Sequence, residues 1–435
     1  MGIEVTQGVT KGNFLFLFLI SFVNQWVMTI IGVIRAAFLK EIIGVPDSIA
    51  GTVNVTLYNI TAPIRIFFTV YVGALSDRVG RRPLMLIGFA TTAMMFIVYA
   101  HCKDIANFVG LESLMSVLVL LSVISLVSAI LFLFTWPQII TMGADYSLPQ
   151  SRGRIMAIQG MSMGISSIIV YAVFGQLPKH IGIIPMFYLG TAFALICLLL
   201  IRIGLVEKMP AKRDKKEIKT FQDIKELLKL TRKSRELQVG YISMLTGRAD
   251  VLVISQFIMI WMVTTCQDFG FTAAQATTKG AIALAFFSVF MQPQMPLLGI
   301  LTDKWGRIPT LIVTLLIGGI GFCVLGMVEN PFSKIVWLIV IFCSTAFGGG
   351  LASQALVADS APKHLVGTAM SGLNTAMMVG GLVFSQVGGF LFDAVGYGTP
   401  FIFKGVANIL VALWIFSVRK GVKDTAAKGG RPGHR

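Results

Sequence analysis

The chain has 435 residues, of which 55% are hydrophobic and only 13% are charged. Soluble domains usually carry about 25% charged residues, so this composition excludes an ordinary soluble protein. The formal net charge of +16 at pH 7 could indicate nucleic-acid binding. The positions of the basic residues instead favour a lipid bilayer as the partner, with no nucleic acid.

Apolar runs of roughly 20 residues, long enough to cross a bilayer, recur along nearly the whole chain. The first run is too long for the core of a signal peptide, so we expect it to be a retained first helix. The runs predict an all-α membrane protein with twelve transmembrane helices, near residues 14–37, 53–74, 84–100, 113–141, 155–175, 185–204, 239–264, 279–299, 310–328, 335–357, 368–391 and 399–418.

The basic residues predict the orientation of these spans. With an even number of spans both termini lie on one side, and the segments on that side hold 27 of the 36 Lys and Arg residues. Cytoplasmic loops carry such an excess. We therefore expect both termini in the cytoplasm and the protein in the plasma membrane, a bacterial inner membrane, as a monomer.

A basic stretch divides the chain into two halves. We predict an N-terminal six-helix bundle over 1–204, a cytoplasmic linker over 205–238, a C-terminal six-helix bundle over 239–418 and a basic tail over 419–435. Within the linker, four apolar residues share one helical face, which predicts an amphipathic helix on the inner leaflet: Phe221, Ile224, Leu227 and Leu228.

A charged motif occurs twice, at the equivalent loop of each half. Residues 73–83 read G-A-L-S-D-R-V-G-R-R-P, and residues 299–309 read G-I-L-T-D-K-W-G-R-I-P. A second pair supports a duplication, because Ala-Asp precedes a Gly by the same spacing after the fourth span of each half, at Asp145 and Asp359. Repetition at a fixed offset is typical of duplicated architectures.

The paired motifs, the twelve spans and the basic central loop resemble the major facilitator superfamily over the whole chain. The resemblance implies two pseudo-symmetric six-helix bundles and secondary transport by alternating access. It also implies that the two loops gate the cytoplasmic side, a role carried here by Gly73, Asp77, Arg78, Gly80, Arg81, Gly299, Asp303, Gly306, Arg307, Asp145 and Asp359. Gly73 and Gly299 would permit close helix approach. A plain positive-inside anchor is the alternative, but it requires neither the aspartates nor the glycines.

The resemblance also implies a substrate site near mid-membrane between the halves. Arg65, Arg248 and Asp250 lie about ten to twelve residues into their spans, close to the midplane. Arginine in excess of acid at this depth favours an anionic substrate, because a guanidinium group matches a carboxylate or phosphate. Alternatively, Arg65 bonds carbonyls freed by Pro63, and Asp250 neutralises one arginine.

Other polar residues fall in spans that line the cavity of that family, namely Asn24, Gln138, Gln256 and Trp261. Each is a candidate substrate contact, although polar residues in membrane helices more often serve packing. Arg35 and Lys404 lie near span ends, where we expect their charges to snorkel towards water.

Asp250 is the acidic residue that lies clearly inside a span, so it is the candidate for proton coupling. The driving force would be a proton or other ion gradient, without a cofactor. The five scattered cysteines support neither a metal cluster nor a disulfide framework.

These features predict proton-coupled symport of a small organic anion, a carboxylate or a phosphate-bearing metabolite. Drug or metabolite efflux by proton antiport is the alternative, although span 5 lacks the Gly-Pro and Gly-Gly of that subgroup. An intramembrane enzyme or receptor is disfavoured, because the spans contain no paired-carboxylate or histidine constellation.

Overall fold

The structure is a computed structural model, and it describes residues 6–148, 151–207, 220–247, 249–362 and 365–422. All regular secondary structure in these ranges is helical. This confirms the predicted all-α class.

The described residues form eighteen α-helices. The first ten are α1 (Lys11–Ala37), α2 (Ala50–Asn59), α3 (Thr61–Val79), α4 (Arg81–Ala100), α5 (Cys102–Phe108), α6 (Leu114–Phe132), α7 (Trp136–Asp145), α8 (Arg152–Ala172), α9 (Pro178–Ile181) and α10 (Ile184–Gly204). The remaining eight are α11 (Thr220–Lys233), α12 (Arg235–Gly247), α13 (Ala249–Thr264), α14 (Ala273–Trp305), α15 (Arg307–Gly326), α16 (Lys334–Ser360), α17 (Val366–Ala394) and α18 (Thr399–Val418).

Eleven helical segments of the described chain are long and apolar enough to cross a membrane. A twelfth span is present when the segments Asp47–Thr69 and Tyr71–Val79, bent by 48° relative to each other, are counted together. The prediction of twelve membrane helices is confirmed with this bent segment as the second span.

The second span is also interrupted by a junction between two helices. Helix α2 ends at Asn59 and α3 begins at Thr61, shortly before Pro63. Proline has no backbone N–H, so it cannot donate to the carbonyl four residues earlier. The Thr61 hydroxyl donates to the Tyr58 carbonyl at 2.6 Å, which satisfies a carbonyl beside this junction.

The chain forms two compact units. The first comprises residues 1–214 and 262–285, and the second comprises 215–261 and 286–435. In the first unit α1 packs against α10 and α8, and α4 packs against α10. In the second unit α15 packs against α16 and α18, and α12 packs against α16 and α17.

Glycine permits a close helix contact in this fold, but at neither of the two expected positions. A Cβ atom on Gly380 of α17 would collide with the Leu245 carbonyl of α12, so only glycine fits there. A Cβ on Gly73 or Gly299 would meet nothing within 4 Å. The expectation that these two motif glycines lie at close helix contacts is therefore wrong for this structure.

The predicted linker helix is present as α11, but it does not present its whole apolar face to lipid. Leu227 is buried in a cluster with Leu237 and Val357 of the second unit. Leu228 is exposed. Helix α11 therefore contacts the second unit through Leu227, and its position on the inner leaflet stays a prediction.

Candidate functional site

The first charged loop is a sharp junction between two helices. Gly80 separates α3 from α4 and has φ +103°, a conformation that favours glycine. A Cβ at this position would also lie 2.8 Å from the Glu207 carboxyl carbon. The second motif glycine, Gly306, lies between α14 and α15 with φ +99°.

Arg81 is the centre of the first loop. Its side chain is almost fully buried. Its Nη2 bonds Asp77 Oδ1 at 3.1 Å, and its Nη1 donates to Ser76 Oγ at 2.9 Å. Its Nε forms an ion pair with Asp145 at the end of α7. Three of the predicted gating residues thus meet in one cluster, whereas Arg78 is exposed.

The N-terminus of α4 has a carboxylate partner that the sequence did not reveal. Glu207 accepts hydrogen bonds from the backbone N–H groups of Arg81 at 3.1 Å and Arg82 at 2.7 Å. A carboxylate at a helix N-terminus is stabilised by the unpaired N–H groups and the helix dipole. The start of the predicted linker is thereby joined to the charged loop.

The residue before Glu207 is held by a second contact. The Tyr146 hydroxyl donates to the Val206 carbonyl at 2.7 Å and accepts from the Val206 N–H at 2.9 Å. Burial raises the pKa of Tyr146 to about 12, so the phenol remains a donor at neutral pH.

The second charged loop repeats one feature of the first. Arg307 forms an ion pair with Asp359 at the end of α16, as Arg81 does with Asp145. Asp303 is exposed and makes no ion pair with the described part of the chain. The duplicated Arg–Asp bridge is therefore shared by the two loops, but the Asp77–Arg81 contact belongs to the first alone.

A cavity of about 250 Å³ lies beside the first loop, within the first unit. Its walls include Gly73, Asp77, Arg81 and Gln138. Gln138 Nε2 donates to the Leu133 carbonyl at 3.2 Å, and its Oε1 is buried with no hydrogen-bond partner in the described part of the chain. The structure thus brings one predicted substrate residue next to the gating cluster, rather than next to Arg65.

The second unit contains a buried charge cluster on α13 and α18. Lys404 Nζ lies 2.5 Å from Asp250 Oδ1 and 2.5 Å from Asn408 Oδ1. Asn408 Nδ2 donates to Asp250 Oδ1 at 3.0 Å. All three side chains are 0% exposed. The expectation that Lys404 snorkels to water is wrong, because the ammonium group finds its counter-charge inside the unit.

Aromatic rings complete the surroundings of this ammonium group. Lys404 Nζ lies 5.0 Å from the Phe384 ring centroid and 5.6 Å from that of Phe322. The second carboxylate oxygen of Asp250, Oδ2, is buried and has no hydrogen-bond partner in the described residues. The cluster therefore retains one free acceptor inside the protein.

Arg65 and Arg35 contact the same aromatic ring in the first unit. Their guanidinium carbons lie 5.3 Å and 5.7 Å from the Tyr58 ring centroid. Arg35 is 8% exposed, so the expectation that it snorkels is wrong. The helix continues past Ala37 as a π-helical turn over Phe38–Ile43, which places Arg35 below the end of the span.

The other predicted substrate residues are Asn24, Gln256, Trp261 and Arg248. Asn24 and Gln256 are buried, and no amide atom of either has a hydrogen-bond partner among the described residues. Trp261 is also buried, with its ring 5.8 Å from that of Phe401, so it packs in an aromatic core. Arg248 lies outside the described residues.

The comparisons with known proteins agree on the fold. A family model described as the Major Facilitator Superfamily matches residues 17–385. The crystal structure of the nucleoside transporter NupG superposes with a TM-score of 0.72 at 11% identity, covering 93% of this chain and 99% of that one.

Two curated relatives differ in how much of the chain they match. Magnetosome protein MamH of Paramagnetospirillum magneticum is 28% identical over 415 residues, or 95% of this chain and 93% of that protein. The multi-drug resistance efflux pump PmrA of Streptococcus pneumoniae is 32% identical over 179 residues, or 39% of this chain and 41% of that protein.

Proposed function

The chain belongs to the Major Facilitator Superfamily, and from this premise we propose that it is a secondary transporter in which Asp250 and Lys404 couple proton movement to transport of a small organic anion. The observation that carries the proposal is the ion pair between these two residues, which is completely buried in membrane-spanning helices. Charged groups in such positions are expensive and mark ion or substrate pathways.

The pair offers two states that differ by one proton. With Asp250 ionised, its carboxylate balances the Lys404 ammonium group across 2.5 Å. With Asp250 protonated, the attraction is lost and the ammonium group keeps only Asn408 and the neighbouring rings as partners. Loss of a charge–charge attraction in a low-dielectric interior can bias a conformational equilibrium. Coupling of proton binding to transport requires such a bias.

The charged loops supply the second part of the proposed mechanism. Arg81 ties the end of α3 to the end of α7 through Asp77 and Asp145, and Arg307 ties the start of α15 to the end of α16. We assign these bridges to the cytoplasmic gate. Transport requires them to hold in one conformation and to loosen in the other.

An anionic substrate is supported by the excess of arginine over acid inside the spans. Efflux by proton antiport is the second candidate, and the partial similarity to an efflux pump favours it. The two candidates differ in the sign of the preferred ligand, because multidrug efflux would extend to cationic compounds. For location, the inner membrane and a magnetosome membrane are the two candidates, the second because of the relative's name.

The proposal is tested by uptake into proteoliposomes of the purified protein. Labelled succinate, citrate and phosphate are offered with and without an imposed pH gradient. We expect accumulation only with the gradient, and we expect Asp250→Asn to abolish gradient-driven accumulation while exchange of preloaded substrate continues.

The matched control is Asp268→Asn, which removes an exposed carboxylate outside the spans and should leave uptake unchanged. Gradient-driven accumulation by Asp250→Asn at the wild-type level would overturn the coupling role. Transport of cationic dyes in place of the three anions would replace symport by the efflux candidate.

A further inference from the structure

Two cationic residues of the first unit, the buried Arg35 and the half-buried Arg65, have no acidic partner among the described residues. Arg35 lies in the last turn of α1 and Arg65 in the second turn of α3, and both guanidinium groups contact the ring of Tyr58. We propose that these three residues form a binding site for a substrate that carries two anionic groups, a dicarboxylate or a more highly charged carboxylate. This rests on the proposed transport function and names its substrate class.

One helical face presents most of the site. Asn54, Tyr58, Thr61 and Arg65 follow one another at spacings of four, three and four residues. Residues at such spacings lie on the same side of a helix, even though α2 passes into α3 at Ile60. Arg35 of α1 joins this face by donating from Nε to Asn54 Oδ1 at 2.9 Å.

The partners of both arginines are neutral. Arg35 is bonded to an amide oxygen. Arg65 donates from Nη2 to the Thr61 hydroxyl at 2.9 Å, and its Nε atom is buried with no hydrogen-bond partner among the described residues. Neither arginine forms an ion pair within the described ranges. A buried cation beside a half-buried one is unfavourable without a counter-charge, so an anion bound beside them would relieve both.

A purely structural role for Arg65 does not explain these contacts. If Arg65 served to satisfy carbonyls freed by Pro63, it would donate to backbone oxygens near the helix junction. The Thr61 hydroxyl already donates to the Tyr58 carbonyl at 2.6 Å, and Arg65 donates to the oxygen of that hydroxyl instead. The Thr61 hydroxyl therefore holds the guanidinium group of Arg65 in place, but this contact uses the Nη2 donor and not Nε.

The chemistry of the site indicates the ligand. A guanidinium group donates two parallel hydrogen bonds to a carboxylate or phosphate, and two such groups suit a ligand with two acceptors. The Tyr58 ring lies beside both cations and offsets part of their charge. A single monovalent anion would leave one of the two cations without a counter-charge.

The test is ligand binding by the purified full-length protein in detergent, without a gradient. Titration calorimetry with citrate and succinate, with acetate for comparison, measures affinity separately from coupling at Asp250. Replacing Arg35 or Arg65 by Lys keeps the charge but loses the planar donor pair, and should weaken citrate binding about tenfold to a hundredfold.

The control Lys179→Gln removes an exposed positive charge from the short helix α9 and should leave the affinity unchanged. Equal citrate affinity in wild type and both arginine variants would overturn the site, as would failure of the wild type to bind any of these anions. If the wild type binds citrate but does not accumulate it under an imposed pH gradient, the coupling proposal alone is contradicted.

A second variant does not depend on removing either arginine. Thr61→Glu places a carboxylate one helical turn from Arg65 and supplies the missing counter-charge from within the protein. We expect a higher melting temperature and loss of citrate binding. A lower melting temperature with citrate binding retained would show that Arg35 and Arg65 do not form the anion site.

Phospholipid headgroups share this anion chemistry. Delipidated protein is therefore titrated separately with phosphatidylglycerol and with citrate. Stabilisation by citrate that depends on Arg35 and Arg65 supports the substrate site. Stabilisation by the lipid alone, with the same dependence, would overturn it in favour of a lipid site.

Discussion

Replacing Lys404 by methionine should destabilise the protein strongly. Lys404 and Asp250 are both 0% exposed, so removal of the ammonium group leaves a buried carboxylate with one hydrogen bond, from Asn408 at 3.0 Å. Breaking a buried ion pair by removing one partner costs about 3–5 kcal/mol. In a unit of roughly 200 residues this corresponds to a melting temperature lower by about 6–20 °C.

The double variant Asp250→Leu/Lys404→Met separates this explanation from simple loss of packing. It removes both charges and replaces them with apolar groups of similar size, which is often neutral or stabilising for a buried pair. We therefore expect it to recover most of the stability lost in Lys404→Met. The difference from additivity should be about 3 kcal/mol or more, a large coupling for two residues in contact.

The assay is the melting temperature of each variant in one detergent, read by size-exclusion recovery after heating. Asp250→Leu and Lys404→Met provide the two single substitutions of the cycle. A Lys404→Met variant as stable as the wild type, or a double variant less stable than both single ones, would refute the reasoning from an uncompensated charge.

Three further outcomes are expected. Asp77→Asn should slow transport at equal expression without changing the melting temperature, because it weakens the gate but removes a carboxylate that is 59% exposed; an unchanged rate would leave the loop as a topological anchor. Single cysteines within 205–235 should react with an impermeant thiol reagent only after permeabilisation, and labelling of intact cells would contradict the cytoplasmic linker. Gly380→Ala should prevent stable folding because its Cβ would collide with the Leu245 carbonyl, whereas Gly73→Ala should fold normally; equal stability of the two variants would contradict the packing argument.

The fold could be predicted from the sequence because a bilayer imposes one strong constraint. Every span must be apolar and must satisfy its own backbone, which makes span length and position visible in the residue pattern. The 48° bend of the second span after Thr69 was not predicted, whereas Pro63 had already indicated freed carbonyls in that span. The bend depends on local backbone geometry, which hydropathy does not report.

The contacts within the candidate site were harder to predict from the sequence than the fold. The repeated loops pointed to Arg81 and Asp145 because duplication makes a pattern, but the carboxylate of Glu207 contacts Arg81 across 126 positions without any repeated signal. Lys404 was misplaced for a related reason. Distance from the end of a span does not reveal which face of the helix a residue occupies, and its cluster joins residues up to 158 positions apart.

The pairing of Asp250 with Lys404 also has a consequence for how the chain is made. The segment Arg235–Thr264 has a mean hydropathy of 1.3, compared with 2.0 for Thr399–Gly421, and it carries its carboxylate long before α18 leaves the ribosome. An aspartate near the centre of a helix opposes insertion by about 2.5–3.5 kcal/mol. Until α18 is inserted, this segment is a poorly inserted span with an unbalanced charge. A chain truncated before Thr399 should therefore accumulate less than the full-length protein, because its Asp250 carboxylate lacks the Lys404 counter-charge.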